Sequence, residues 1–520
     1  MKFSKRNIPP IEIALFIILI IQFCLIAFCN LTMLDSTLDC DNSQLYRHVI
    51  EMWRNKTLLI PNWLYSTTLE YDCVALFAVP IYGITKNIFL ACGLSNIILT
   101  AIFIASVFFL FSGQKLVYPL LSANLIIVPY SISMLGYFNM MFFSGTWYNI
   151  KVLLPILLIG VFLSMERQDK TKTQKRWDLL FTLLYIFLLA LNCISSGSYV
   201  VLCGLIPVFV VYFGYKFFKW EKLSRDAVII SAISVICIVV GIILNARWGG
   251  TRTEGMELCN FFLLLNNISS TFFGLFELFG GTTTSYDLMV LSYEGIVVLS
   301  RIVLVLALLI CGVIAVARCI KQKADLRTLL LISVFVWNYF ILNVVYTKAG
   351  SETTEFRYHL MGAIPLICVT CIILLDGISK LNVIQQGILY TAGCAVLVFL
   401  SGTGFYTVLT YEDPATDLKE LTEYCSSLDV DHAYMYQSSY ASDICRILDL
   451  ETQYIPLVHD GTTSIANYYN YYYDAPPQPL NSIVIVNNKE GEFEETFTIP
   501  RYRLKKFAEV GNWWLYNFDL

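Results

Sequence analysis

Long apolar runs constrain the fold of this chain more than any other feature of its sequence. A transmembrane helix needs about 20 consecutive apolar residues, and the chain has about eleven runs near that length. Only helices and closed barrels satisfy every backbone polar group in lipid. We therefore predict a polytopic α-helical membrane protein whose spans lie near residues 11–29, 88–112, 116–133, 150–164, 178–193, 199–215, 227–244, 295–317, 328–345, 360–376 and 387–409.

The composition agrees with a membrane protein and excludes several other classes. Charged residues make up only 14% of the chain, against about 25% in soluble domains. The net charge of −4 gives no indication of a nucleic-acid partner. Most of the 16 cysteines lie in apolar runs, where they act as small hydrophobic side chains. Two cysteines of the polar C-terminal region, Cys425 and Cys445, are candidates for a disulfide.

Three basic clusters orient the predicted spans. They lie at residues 166–176, 216–225 and 318–327, and such clusters mark the cytoplasmic side. All three are cytoplasmic if the N-terminus is cytoplasmic and the short, Pro80-containing apolar piece at 73–84 is interfacial or re-entrant rather than spanning. The segments then predicted outside are 30–86, 136–149, the SSGSY turn, 247–294, 347–359 and everything after 411. The apolar stretch within 246–294 is interrupted by polar residues, so we expect it to lie in the interface.

The chain changes character after residue 410. From Tyr411 the composition is that of a small soluble domain. "HAYMY", "TQYIPL", "SIVIV" and "NWWLYNF" are rich in β-branched and aromatic residues, which predicts strands, and "SYASDICRILDL" predicts a helix between the first two. The predicted architecture is therefore a transmembrane domain over 1–410 and an extracytoplasmic α/β domain over 411–520.

An unusually charged stretch, "LDCDNSQLYRHVIEMWRNKT" at 38–57, follows the first apolar run. The spacing of Asp41 and Gln44 is typical of a helix N-terminal capping box, whereas Asp39 caps nothing obvious. Apolar side chains then recur on one helical face at Leu45, Val49, Met52 and Trp53. We expect an amphipathic helix that begins at carboxylates and lies along the bilayer surface.

This arrangement resembles the GT-C superfamily of membrane glycosyltransferases. In that pattern a first span is followed by an external loop whose acidic residues open a helix. "DCDNSQLYRHVIEMWRNK" supplies the acidic start, Tyr46, and Asn55 where glycine is commoner. "IPNWLYSTTLEYDCVALFAVPIYGITKNIF" resembles the second half of the loop, and "EFRYHLMGAIPL" at 355–366 resembles the Arg-Tyr entry into a late span. A soluble α/β domain after the last span also suits the superfamily.

The resemblance implies an integral membrane enzyme that takes a sugar from a polyprenyl-phosphate-linked donor. The sugar would pass to a glycan, lipid or protein acceptor on the extracytoplasmic side. A positioned carboxylate helps such a reaction by taking the proton of the attacking hydroxyl. Cations must stabilise the negative charge that grows on the departing lipid phosphate.

These requirements assign candidate roles to particular side chains. Asp39 and Asp41 are the candidate bases, or ligands of a divalent ion such as Mg²⁺ or Mn²⁺. Arg357 is the first candidate for the donor phosphate, with Arg247 and Arg252 behind it. Glu70 and Asp72 are candidates for a second acidic contact, and they are equally suited to a polar boundary.

Two other classes of function stay open at the level of sequence. A transporter or flippase would place ionisable residues near the bilayer midplane and often shows repeated halves. The charges of this chain concentrate instead in the loops predicted to be external, which favours chemistry at the membrane surface. A non-catalytic envelope-assembly protein that binds a polymer through its C-terminal domain is the third reading.

Overall fold

The computed structural model describes residues 9–61, 63, 65, 68–133, 135–168, 170–248, 257–283, 287–346, 356–458, 480–489, 491, 493–499 and 502–519. Its α-helices are α1 (Pro10–Thr32), α2 (Cys40–Asn55), α3 (Val74–Thr85), α4 (Ile88–Leu110), α5 (Val117–Ile126), α6 (Tyr137–Met141), α7 (Asn149–Met165), α8 (Lys172–Ser196), α9 (Ile206–Phe218), α10 (Arg225–Trp248), α11 (Phe261–Leu278), α12 (Tyr293–Ile320), α13 (Leu326–Val344), α14 (Leu360–Ile378), α15 (Val383–Leu409), α16 (Thr416–Ser427) and α17 (Ser439–Leu448). Its strands are β1 (Glu257–Leu258), β2 (Val345–Tyr346), β3 (His432–Tyr436), β4 (Gln453–Leu457), β5 (Ser482–Asn487), β6 (Thr496–Ile499), β7 (Tyr502–Val510) and β8 (Trp513–Asp519).

The predicted helical membrane fold is confirmed. In the part of the chain that the structure describes, ten helices are long and apolar enough to cross a bilayer: α1, α4 and α8 to α15. One of them, α11, falls in the segment that we expected in the interface. The predicted span at 150–164 is α7, whose 17 residues reach about 26 Å. The piece at 73–84 forms α3, which is 12 residues long and too short to span.

The expectation of a span over 116–133 is wrong. Helix α5 has only ten residues, about 15 Å, which is half of the hydrocarbon thickness. A helix that ends at this depth exposes carbonyl oxygens that lipid cannot satisfy. Two tyrosine hydroxyls meet this need: Tyr137 donates to the Ile126 carbonyl (2.5 Å) and Tyr130 donates to the Leu125 carbonyl (2.7 Å).

The three basic clusters lie together at one end of the helix bundle. The contacts that join them are Lys216 Nζ to Glu166 Oε2 (2.5 Å), Arg167 to the Ser112 hydroxyl, and Arg327 Nε to the Leu110 carbonyl (3.1 Å). The segment containing Asp39 lies at the other end, since it follows α1 and precedes α4. The parity argument required the three clusters to share one face, and the structure has this arrangement.

The C-terminal region forms the predicted α/β unit. Its six strands are ordered β4-β3-β5-β8-β7-β6, with β3 parallel to β4 and β5 and the remaining pairs antiparallel. The four strands and the helix expected from the sequence are all present, and β6 and β7 add to them. On β8, Trp513 is buried and Trp514 is partly exposed, as strand alternation requires. Cys425 and Cys445 are both buried and carry free thiols.

Helix α2 lies between the bundle and this C-terminal unit. It packs against α3 on one side and α17 on another. Leu45 and Val49 are fully buried, and Trp53 packs closely against Gly83 of α3. The expectation that this apolar face lies on the bilayer surface is therefore wrong. The helix is amphipathic because its apolar face packs on protein and not on lipid.

The three basic clusters lie at one end of the bundle, and this position predicts the topology of the chain in the membrane. Because basic clusters stay in the cytoplasm, we expect reporter fusions near Lys172 and Lys321 to give cytoplasmic signals. Fusions near Asp41 and Asn481 should give external signals, since both lie at the opposite end. A cytoplasmic signal at Asn481 would contradict the orientation while leaving the fold unaffected.

Candidate functional site

Asp39 caps helix α2. Its backbone is extended and the helix begins at Cys40. The backbone N–H of Asn42 donates to Asp39 Oδ1 (2.8 Å), and the Asn42 side-chain amide donates to Asp39 Oδ2 (2.7 Å). The interpretation that Asp41 provides the cap is therefore wrong. Asp41 lies instead in the first turn, where the helix dipole favours a carboxylate.

The surroundings of Asp39 raise the pKa of its carboxyl toward neutral pH. Its carboxyl is only 6% exposed. Burial raises the pKa of Asp39 to about 7; the hydrogen bonds from Asn42 oppose this shift and the charge of Asp41 adds to it. A general base is most effective when its pKa lies near the operating pH, so Asp39 has the expected property.

The loop between α6 and α7 packs against this helix start. Trp147 Nε1 donates to Asn42 Oδ1 (3.4 Å), so the loop touches the residue that holds Asp39. A Cβ on Gly145 would lie 2.7 Å from Asn42 Oδ1 and closer still to the Trp147 ring, so only glycine fits this approach. The stretch 136–149, expected at the external face, therefore borders the candidate carboxylates.

Two cations, Lys151 and Arg357, lie near aromatic rings at the end of this loop. Lys151 Nζ lies 5.2 Å from the centre of the Tyr148 ring. Tyr148 in turn lies 6.5 Å from Tyr358, centre to centre, and the Arg357 guanidinium lies 5.4 Å from the Tyr358 ring. Tyr199 completes the aromatic cluster at 6.2 Å from Tyr148. The structure therefore brings Arg357 to the same end as Asp39, joined to it through these rings and Trp147.

Asp72 joins the first loop to two helices. Its carboxylate accepts hydrogen bonds from three side chains at the end of α8, and Lys151 Nζ lies 3.8 Å away. The three donors are Asn192 Nδ2 (2.5 Å), Ser195 Oγ (2.6 Å) and Ser196 Oγ (2.8 Å). Three donors and a cation thus satisfy the Asp72 carboxylate, which agrees with the polar-boundary reading.

Glu70 forms a buried pair with His48. The Glu70 Oε2 atom is 2.7 Å from His48 Nδ1, and neither side chain is exposed. The imidazole also stacks on Trp63, with ring centres 5.3 Å apart. Burial raises the pKa of Glu70, and His48 opposes that shift. Glu70 has a φ of +63°, which is uncommon for a residue with a side chain. This pair fixes the loop against the middle of α2.

Two further arginines, Arg247 and Arg252, are candidates for the donor phosphate. Arg247 is exposed in the last turn of α10. Asn245, two residues earlier, donates to the carbonyls of Ile194 (2.8 Å) and Ser195 (2.9 Å), so this helix end lies beside the serines that bind Asp72. Arg252 lies outside the described residues.

Sequence reasoning missed Lys151 and the pair that His48 forms with Glu70. Lys151 is buried in the first turn of α7, within the run "YNIKVLLP". A lysine inside a predicted span is a functional candidate by default, so this signal was present. No local pattern relates His48 to Glu70, and only their contact in the structure reveals the pair.

The described residues do not complete a metal site. Among them no group of three His, Cys, Asp or Glu side chains is placed to hold an ion. Asp39 and Asp41 would supply two ligands to a divalent ion, and Asp39 already accepts two hydrogen bonds from Asn42. We derive no step through a metal.

The contacts of Asp72 predict a structural effect of substitution. Asp72→Ala leaves three donors and a cation unpaired in a buried place, which should cost about 3–5 kcal/mol of unfolding free energy. Asp72→Asn should cost about 1.5–3 kcal/mol. Chemical unfolding of the purified protein measures both. Asp376→Asn is the control, since its pair with Arg318 is partly exposed and worth about 1 kcal/mol or less. Wild-type stability in Asp72→Asn, with transfer lost, would instead indicate a substrate contact.

No protein-family model matches the chain, and no curated protein matches its sequence. Solved structures do match. ArnT from Cupriavidus metallidurans bound to undecaprenyl phosphate aligns with a TM-score of 0.54 at 10% identity, over 96% of this chain and 97% of ArnT.

The archaeal oligosaccharyltransferase AglB from Archaeoglobus fulgidus, in complex with an inhibitory peptide and a dolichol-phosphate, aligns with a TM-score of 0.51 at 10% identity, over 85% of this chain and 64% of AglB. A second structure of the Archaeoglobus fulgidus enzyme, tethered to an acceptor peptide, has a TM-score of 0.48 at 11% identity, over 85% of this chain and 63% of that one. This chain therefore spans less than two thirds of the archaeal enzyme. The match to ArnT extends over nearly the whole of both chains, and the protein described here has the GT-C membrane fold.

Proposed function

We propose that this protein is a glycosyltransferase that moves a sugar from a polyprenyl-phosphate-linked donor to an acceptor hydroxyl. One observation supports this more than any other. The carboxylates at the start of α2 and the cations Lys151 and Arg357 lie at the same end of a bundle with the GT-C fold. The structural neighbour ArnT binds undecaprenyl phosphate, and a lipid-linked phosphate needs such cations.

The proposed reaction is a displacement at the anomeric carbon of the sugar. The acceptor oxygen forms a bond to that carbon while the bond from the carbon to the donor phosphate oxygen breaks. The electron pair of the broken bond leaves with the phosphate, and the hydroxyl proton passes to a carboxylate. Asp39 or Asp41 is the base, and a positioned base contributes about 10²- to 10⁴-fold.

The leaving phosphate gains negative charge as the bond breaks. Fixed cations in a site of low dielectric constant stabilise that charge without reorganising. Lys151, near the Tyr148 ring, and Arg357, near the Tyr358 ring, take this role in the proposal. Arg247 and Arg252 stay second candidates. The glycan, lipid or protein acceptor approaches from the side of the C-terminal domain.

The proposed site faces the extracytoplasmic side. The basic clusters at 166–176, 216–225 and 318–327 gather at the opposite end of the bundle, and the positive-inside rule places such clusters in the cytoplasm. The reporter fusions described above test this part of the proposal.

Neutral isosteres test the carboxylates. Asp39→Asn or Asp41→Asn should lower transfer by about 100-fold or more, whichever residue is the base. Asparagine caps helices about as well as aspartate, so Asp39→Asn should keep the helix start intact. The measurement is radiolabelled sugar transfer from polyprenyl-linked donors into a membrane product. Arg54→Ala is the control, because Arg54 is half-exposed and its ion pair among the described residues is with Glu51 on its own helix. Wild-type rates in both asparagine variants would move the mechanism away from α2.

The raised pKa of Asp39 predicts the pH dependence of transfer. The pKa of its carboxyl is about 7, so the ionised form that accepts a proton is populated above that pH. Transfer should rise as the pH rises through about 7 and then level off. Asp39→Asn should remove this rise from the residual activity, whereas Asp41→Asn should retain it. A flat profile in the wild-type protein would exclude Asp39 as the base.

A further inference from the structure

The C-terminal domain reaches the start of α2 through its helix α17. Gln44 Nε2 donates to Asp443 Oδ2 at 2.6 Å, and both side chains are buried. Arg446 supports the same carboxylate, with Nη1 at 3.3 Å from Asp443 Oδ1. A buried polar pair with short contacts fixes two surfaces in one relative position. Helices α2 and α17 therefore meet in their second turns.

Tyr440 lies one helical turn before Asp443 on the same face of α17. Helices α2 and α17 pack against each other, so Tyr440 lies within about one helical turn of the contact between Asp443 and Gln44. Burial, and then the nearby carboxylates Asp39 and Asp41, raise the pKa of Tyr440 to about 12, which agrees with a position near the start of α2. The side chain is nevertheless 47% exposed, so one face of its ring is accessible beside the proposed base.

Tyr411 adds a second ring at the same place. It lies just after α15, where the chain enters the C-terminal domain. Burial and then the charges of Asp39 and Asp413 raise its pKa. Lys419 Nζ lies 2.8 Å from Asp413 Oδ2 and 3.2 Å from Asp35 Oδ2, so the segment that begins with Tyr411 lies beside the turn that precedes Asp39.

The two sides of the candidate site carry side chains of opposite charge. Lys151 and Arg357 lie on the side of the Tyr148 and Tyr358 rings. The side next to α17 carries Asp39 and Asp41 instead, while Asp443 there is paired with Arg446. A phosphate is attracted to the first side and repelled by the second. A neutral sugar ring suits the second side, because its C–H face packs on a phenol ring and its hydroxyls donate to carboxylates.

We propose that Tyr440, with Tyr411 behind it, forms the wall that binds the acceptor, and that the acceptor is a neutral, hydroxyl-rich glycan. This inference rests on the proposed transferase function and adds the chemical class of its second substrate. Tyr440 is a binding residue in this role, and the base remains at the start of α2.

The experiment uses the full-length protein in membranes of cells that produce it, labelled through their own polyprenyl-linked sugars. Tyr440→Ala should lower incorporation into the membrane product by about tenfold, because the ring contact is lost. Tyr440→Phe should stay within about twofold of wild type, since the ring remains. Stabilisation of each purified variant by undecaprenyl phosphate, measured as a shift in melting temperature, should not change. Phe507→Ala is the matched control, an exposed aromatic residue on β7 of the same domain.

Competing sugars test the chemical class directly. Methyl glycosides of glucose, galactose, mannose and N-acetylglucosamine should inhibit incorporation by the wild-type protein, and their 6-phosphates should inhibit it less. Tyr440→Ala should lose sensitivity to the neutral glycosides. Wild-type incorporation in Tyr440→Ala overturns the assigned wall, and stronger inhibition by the 6-phosphates overturns the assigned class. No incorporation by the wild-type protein, together with no stabilisation by undecaprenyl phosphate, overturns the transferase function itself.

Discussion

The Asp72 carboxylate joins three parts of the chain on which the whole site depends. It binds the end of α8 through Asn192, Ser195 and Ser196, and Lys151 of α7 lies beside it. A buried carboxylate is tolerated only when its partners are complete, so the loop, the helix end and the lysine fix one another's positions. Lys151 in turn contacts Tyr148, and the adjacent Trp147 contacts the helix start that Asp39 caps.

The transmembrane bundle and the C-terminal domain both border the candidate site. The bundle supplies cations and aromatic rings on one side of α2, and the C-terminal domain covers the other side through α17. Helix α2 belongs to neither interior alone, because its apolar face packs on α3 and its polar Gln44 binds Asp443. The C-terminal domain therefore packs on the helix that carries the candidate carboxylates.

Local patterns predicted the helical bundle and most of the C-terminal strands, because apolar run length and strand composition act within short segments. They failed mostly where a choice depended on distant residues. The α2 cap was missed for a local reason: the spacing pointed to Asp41, and only the extended backbone of Asp39 and its contact with Asn42 show that Asp39 is the cap. The 116–133 run is mainly apolar, yet α5 ends at Ile126, where tyrosines from the following segment satisfy its last carbonyls. Gln44 and Asp443 are 399 positions apart, and no local pattern relates them.

The shortened α5 lets the loop before α7 descend into the membrane. The Ser144 carbonyl accepts a hydrogen bond from Asn96 (3.0 Å), which lies fourteen residues from the end of α4 at Leu110. That separation is about 21 Å along the helix, in a hydrocarbon core about 30 Å thick. Under the proposed function, the phosphate of a lipid-borne donor meets Lys151 near this loop, below the outer end of α4. We expect the thickness of the surrounding bilayer to affect that approach.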